Sequence, residues 1–73
     1  MERAVVESSL VRSAGHDVLR EEMEVEFADG RVVRYLGVKR EEWEGFMGAE
    51  SKGSYLMREI RKHTYEVVKE KGS

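Results

Sequence analysis

The sequence predicts an α+β fold: a three-stranded antiparallel β-meander followed by two helices packed on one face. Two runs of alternating apolar and polar residues flank Ala28-Asp29-Gly30, and Asp-Gly between such runs is the strongest short-range hairpin signal. Two later segments carry apolar residues at helical spacing instead. We therefore predict strands at residues 9–16, 22–28 and 31–37, and helices at residues 39–48 and 51–69.

Side-chain chemistry sets the register of the hairpin. A two-residue loop would place Val25 opposite Arg34 and so put a charge at a core position. A three-residue loop with Gly30 at positive φ separates the core from the ion pairs. The loop of three residues therefore pairs Val25 with Val33, Met23 with Tyr35, and Glu24 with Arg34.

The strand at residues 9–16 is expected to pair with the next one through the polar link at residues 17–22. Gly15 in this strand suggests a bulge or a close backbone approach. The run Val5-Val6 either extends the strand or forms a small extra one. We treat residues 1–73 as a single domain, with residues 1–4 and 70–73 frayed.

The helices supply the other half of the predicted core. Trp43, Phe46 and Met47 make one helical face, while Ser51 is a suitable N-cap for the second, amphipathic helix. Val32 and Leu36 are expected to point away from this core. The predicted core consists of Met23, Val25, Phe27, Val33, Tyr35, Trp43, Phe46, Met47, Leu56, Ile60 and Val67.

Composition limits the possible classes of protein. The 73 residues include no cysteine, so neither a disulfide nor a thiolate metal site is expected. No apolar run approaches membrane-spanning length, and the N-terminus lacks the apolar block of a signal peptide. We therefore expect a cytoplasmic protein. The net charge of -2 is unevenly distributed, since residues 1–50 have an acidic excess and residues 51–73 a basic one.

Candidates for catalysis are few. His16 and His63 have no metal-ligand spacing, and Ser8-Ser9 lacks the glycines of a nucleophile elbow. The adjacent glutamates at residues 21–22 and 41–42 have diverging side chains. We expect no enzymatic activity, no metal and no cofactor.

Ser51, Lys52 and Gly53 lie at the predicted start of the second helix. Free backbone N–H groups and the helix dipole favour an anion such as phosphate at that position. Ordinary capping by Ser51, with Gly53 allowing close packing, is the alternative.

A basic face on the second helix is the other candidate, because arginines around an aromatic ring can meet phosphates while the ring stacks on a base. Alternatively, Glu59 and Glu66 each lie three residues before a lysine and pair with it along a solvated helix. The face consists of Arg58, Arg61, Lys62, Tyr65 and Lys69.

Taken together, several short motifs resemble the KTSC domain family. They are Val-x-Ser-Ser at residues 6–9, Gly15-His16-Asp17, residues 23–27, Gly30, Arg34-Tyr35, Val38, Ala-x-Ser-x-Gly-x-Tyr at residues 49–55, and Ile60. Three departures are Val33-Arg34-Tyr35 for Tyr-x-Tyr, His16 for a tyrosine, and Tyr55-Leu56-Met57 for Tyr-Phe-Asn. The resemblance implies a compact α+β module that occurs alone or attached to lysyl-tRNA synthetases, an association that suggests RNA.

Two functions from different classes follow. In the first, which we slightly favour, the protein binds RNA or another single-stranded nucleic acid; Tyr35, Tyr55 or Tyr65 stacks on bases. Its phosphate contacts would be Lys52, Arg58, Arg61, Lys62 and Lys69. In the second, the chain is a protein-interaction or self-association module that completes its burial in a homodimer or against a partner protein. Neither involves a membrane.

Overall fold

The computed structural model describes residues 1–71, which form one five-stranded antiparallel sheet with helices on one face. The strands, which are neighbours in chain order, are β1 (Ala4–Val5), β2 (Val11–Asp17), β3 (Glu22–Phe27), β4 (Val32–Leu36) and β5 (Tyr65–Lys69). The helices are α1 (Arg40–Gly48) and α2 (Lys52–Tyr55), which continues as a π-helical turn (Leu56–Ile60). The α+β class is confirmed, but the prediction of a three-stranded meander is wrong because β1 and β5 extend it.

The central hairpin has the predicted register. Val25 pairs with Val33, Met23 with Tyr35, and Glu24 with Arg34. The backbone N–H of Phe27 donates to the Arg31 carbonyl at 2.8 Å, which closes the loop of Ala28, Asp29 and Gly30. Gly30 has a φ of 99°, as the three-residue loop requires.

The second helix is shorter than predicted, since helical structure ends at Ile60 and not at Lys69. Residues 64–68 include Thr64, Tyr65, Val67 and Val68, and branched and aromatic side chains favour a strand. The exposed edge of β4 also needs hydrogen-bond partners. β5 supplies them, and the Leu36 backbone N–H donates to the Thr64 carbonyl at 2.7 Å just beside it.

The core lies between the sheet and the helices. Most of the predicted core is confirmed, while Trp43 and Met47 pack against it only partly buried. Val67 is wrong, because it lies on β5 beyond the helices and is 46% exposed. The sequence analysis did not include four buried members, namely Val6, Val11, Ala14 and Val38.

The N-terminal segment lies against the open face of the sheet. A Cβ on Gly15 would lie 2.1 Å from the Glu2 carbonyl oxygen, so the predicted close backbone approach is confirmed. Arg3 pairs with Glu24 at 3.3 Å, and Ala4 is in β1, the small extra strand. Of the residues expected to fray, 72 and 73 lie outside the described part. No helix within residues 1–71 is long and apolar enough to cross a membrane.

His63 connects the turn after the π-helical turn to the start of α1. Its ring nitrogen Nε2 hydrogen-bonds to a carboxylate oxygen of Glu42, and the Lys39 backbone N–H donates to the other oxygen at 3.3 Å. Burial is the largest influence on the pKa of Glu42 and raises it. The two hydrogen bonds and the charges of His63 and Lys62 together outweigh burial and lower that pKa below its ordinary 4.5.

Gly30→Ala should destabilise the fold by about 1 kcal/mol, because an L-residue at positive φ is strained. No heavy atom lies within 4 Å of a Cβ at this site, so backbone strain alone is measured. Gly48→Ala is the matched control, since its Cβ also meets no atom within 4 Å and its φ is not positive. Urea unfolding should show a loss for Gly30→Ala only; equal stabilities would contradict the assigned loop.

Glu42→Gln tests the His63 contact through its pH dependence. A carboxyl with a lowered folded pKa stabilises the protein above its unfolded pKa and loses that contribution as pH falls through the folded pKa. The variant should therefore be less stable at neutral pH, and its stability should fall less on acidification below 4.5. Urea unfolding of both proteins across this range is the measurement. Parallel pH profiles would mean that the contact contributes nothing.

Candidate functional site

The predicted basic face does not exist as one surface. Arg58 and Lys62 both pair with Glu59, each at 3.3 Å, as the solvated-helix alternative expects. Lys69 is in β5, across from Val32, where the shortened helix cannot bring it beside the other cations. Of the predicted cations, Arg61 alone lines the tyrosine-rich groove described below.

The start of α2 has the contacts of ordinary capping. Ser51 Oγ accepts from the Ser54 backbone N–H at 3.3 Å, and Lys52 Nζ donates to the Ala49 carbonyl at 3.1 Å. A Cβ on Gly53 would be in normal contact with Leu10 at 3.6 Å. Anion binding at this position stays a prediction, without further support from these contacts.

Tyr55 is a packing residue on the helical layer. Its ring meets Phe46 edge-on with centroids 6.4 Å apart, and its hydroxyl lies over Gly45, where any Cβ would clash. Arg58 lies 5.6 Å from the same ring. Because its faces are occupied by these neighbours, Tyr55 is poorly placed to stack on a base.

The two histidines are far apart in role and setting. His16 stacks on Trp43 with centroids 5.6 Å apart, and its Nε2 lies 2.7 Å from the Val38 carbonyl oxygen. His63 bonds to Glu42. Across residues 1–71, no three His, Asp or Glu side chains converge as metal ligands.

The open face of the sheet carries a network of ion pairs centred on Arg34. Its guanidinium lies 2.9 Å from Glu66 and 3.2 Å from Glu24, and hydrogen bonds to these two carboxylates raise its pKa further. Glu24 also pairs with Arg3 at 3.3 Å. Each of these charges therefore lies beside an opposite charge, although Arg34 Nε itself has no hydrogen-bond partner within residues 1–71.

The opposite face holds a groove of about 380 Å³ between the paired strands β4 and β5 and the π-helical turn. We call it the tyrosine–arginine groove. Its buried or partly buried walls are Leu10, Phe27, Val33 and Tyr35, and its remaining lining is Arg31, Met57, Arg61, Tyr65, Val67 and Glu70. The groove exists because the helices cover β2 to β4 and stop short of β5.

Tyr65 is the exposed aromatic ring of the groove. It is 60% exposed, and its centroid lies 6.0 Å from that of the buried Tyr35 at an interplanar angle of 50°. Tyr35 lies directly opposite Tyr65 on the adjacent strand, β4, and supports its ring. A flat ligand can therefore reach Tyr65 without displacing the core.

Arg31 is held in place before any ligand arrives. Its Nε donates to Asp29 Oδ2 at 3.0 Å, and its guanidinium carbon lies 4.8 Å from the centre of the Phe27 ring. The Arg31 backbone N–H also donates to Asp29, and this bond is the main reason that the pKa of Asp29 is lowered. Its Nη atoms form no hydrogen bond within residues 1–71. The sequence analysis missed Arg31, whose one signal is the acid two residues before it.

Arg61 lines the same groove as Arg31. Its backbone N–H ends the π-helical turn by donating to the Leu56 carbonyl at 2.8 Å, which fixes where the side chain starts. In the described part of the chain, its guanidinium has no carboxylate within ion-pair distance. Arg61 is thus available to an external anion, in contrast to Arg58 and Lys62.

The fold and this groove define a small α+β domain with a concave site beside an edge strand. The model of the KTSC domain matches residues 7–65, and the chain belongs to that family. An uncharacterized protein from Stutzerimonas stutzeri (strain A1501) is 32% identical over 65 residues, 89% of this chain and 92% of that protein. The crystal structure of a KTSC domain protein from Yersinia pestis matches with a TM-score of 0.87 and 32% identity over 92% of this chain and 96% of that one.

The family motifs have structural roles in this fold. Ser8 and Ser9 line a shallow pocket together with Ser51 and Gly53, so the first and last motifs meet in space. Ser8 Oγ accepts from the Leu10 and Val11 backbone N–H groups at 3.2 and 3.4 Å. These serines therefore shape the entry to β2 and the start of α2.

Proposed function

We propose that this chain is a non-catalytic, cytoplasmic module that binds single-stranded nucleic acid, RNA in the first place, in the tyrosine–arginine groove. One observation carries the proposal: the exposed ring of Tyr65 shares a single groove with two arginines, Arg31 and Arg61. Aromatic rings stack on every base, and guanidinium groups bind phosphate in a bidentate manner. This combination is typical of sites for single strands.

The charge of the groove supports an anionic ligand. Asp29 is already bound to Arg31, which leaves Arg61 as a cation without an acidic partner in the described chain. Asp29 itself does not line the groove, and the acid among its lining residues is Glu70. The net charge of -2 is compatible with this, because much of the acidic excess is tied up on the open face of the sheet.

Self-association through β5 is the competing proposal, and the exposure of Val67 and Val68, at 46% and 47%, is the observation that favours it. Two observations oppose this proposal, one on β5 and one on β4. The pairing of Val33 with Val67 and of Val32 with Lys69 skips Val68, so the edge is bulged. Bulges and charged residues protect edges from strand addition. Val32 is only 5% exposed and offers little area to a dimer.

Arg61→Ala should weaken binding to a labelled single-stranded RNA and lower the slope of affinity against salt by about one contact, or roughly 0.7 in logarithmic units. Arg58→Ala is the matched control, because Arg58 is paired with Glu59 and lies outside the groove. Fluorescence anisotropy over a series of salt concentrations is the measurement. Equal losses in both variants would point to diffuse attraction and away from the groove.

Tyr65→Ala should weaken binding of the same RNA by about 1–3 kcal/mol, because a stacking contact is lost. The salt slope should change little, because no charge is removed. Tyr65→Phe keeps the ring and should bind nearly as well as the original protein. If Tyr65→Ala bound the RNA with unchanged affinity, Tyr65 would not be part of the site.

Sedimentation of the RNA-free protein separates the two proposals. No binding to single-stranded RNA or DNA at low salt would overturn the nucleic-acid proposal. A dimer under the same conditions would leave self-association in its place.

A further inference from the structure

We infer that the tyrosine–arginine groove receives one unpaired nucleotide, whose base is hydrogen-bonded by the hydroxyl of Tyr35 and whose phosphate is held by Arg31 and Arg61. This inference rests on the proposed function and adds the size of the ligand and the group that reads it. Tyr35 was expected to stack on bases. Because its ring is buried, we assign it a hydrogen bond through its hydroxyl instead.

The Tyr35 hydroxyl lacks a partner. Tyr35 is only 6% exposed, yet within residues 1–71 its hydroxyl takes part in no hydrogen bond. Among residues 1–71, the buried side-chain polar atoms without a partner are His16 Nδ1 and Arg34 Nε, so the Tyr35 hydroxyl is reached by solvent. Since Tyr35 lines the groove, a ligand there can replace that solvent as its hydrogen-bond partner.

The hydroxyl is a donor at neutral pH. Burial is the largest influence on the pKa of Tyr35 and raises it, and the charges of Arg31 and Arg61 offset this only in part. A protonated hydroxyl at the wall of the groove can donate to a ring nitrogen or carbonyl oxygen on a base edge and can accept from an exocyclic amine.

The groove has the volume of a small-ligand site. Its volume of about 380 Å³ is near the lower end of the roughly 300–1,000 Å³ typical of small-molecule sites. Tyr65 is the exposed ring of the groove, so one base can stack there. A base in a duplex is stacked and paired on both sides, and therefore cannot enter.

Arg31 is a preorganised phosphate anchor. Asp29 holds its Nε and the Phe27 ring lies beside its guanidinium, so the side chain is already restrained in the free protein. Binding through it then requires less ordering than binding through a free arginine. Arg61, without an acidic partner in the described chain, supplies the second cation.

The test uses the full chain with the four ribonucleoside 5′-monophosphates, followed by NMR and by competition with labelled single-stranded RNA. Tyr35→Phe removes only the hydroxyl. Because that hydroxyl has no partner within residues 1–71, the variant should fold with equal or higher stability. Its affinity for at least one monophosphate should fall roughly three- to tenfold, the value of one neutral hydrogen bond. Inorganic phosphate, which lacks a base, should bind both proteins equally.

The outcomes separate the two proposals. Monophosphates that shift the Tyr65 and Arg61 resonances and displace the RNA support the inference. RNA binding that monophosphates do not displace overturns it and leaves the proposed function standing. Equal affinity for duplex RNA overturns the inference and also the proposed preference for single strands. Failure of both RNA and monophosphates overturns both. Unchanged affinity in Tyr35→Phe removes the hydroxyl from recognition.

Discussion

The exposed edge of β4 is the constraint on which the rest of this structure depends. β4 lies next to the central strand β3 and carries Val33 and Tyr35 into the core. Its outer backbone groups require hydrogen-bond partners. β5 meets that need, with Val33 opposite Val67 and Tyr35 opposite Tyr65. The helix must then end at Ile60 so that the chain can return to the sheet, and the groove opens where helix and strand diverge.

The same constraint explains which parts of the fold were predictable. The hairpin was predicted in register because its signals are local, namely Asp29-Gly30 and the alternation on either side of it. Residues 64–68 satisfied two patterns at once. Ile60, Thr64, Val67 and Val68 fit a helical face, while the same branched residues fit a strand. The choice depended on a partner edge distant in sequence, which periodicity does not register.

The candidate site was only partly predictable, because its residues come together through contacts between segments distant in sequence. Arg61 and Tyr65 were chosen because a helix would place them on one face, and they share a groove through a turn and a strand instead. Arg31 was not predicted because its proposed role depends on contacts with Asp29 inside the loop and with Phe27 on the strand before it. The burial of Tyr35 was expected from its register, but its unpaired hydroxyl follows only from what surrounds it.

Strand register decides which charged side chains of this chain become neighbours. On the open face, Glu22, Glu24 and Glu66 surround Arg34 and Glu24 also pairs with Arg3, so two cations offset most of the charge of these three acids. On the helical face, Glu59 binds both Arg58 and Lys62. What remains at the groove is one arginine shared with Asp29 and one without an acidic partner in residues 1–71. A protein with a net negative charge can thus present a local site for an anion. Strand register, and not the net charge, decides which cations are paired with carboxylates and which are not.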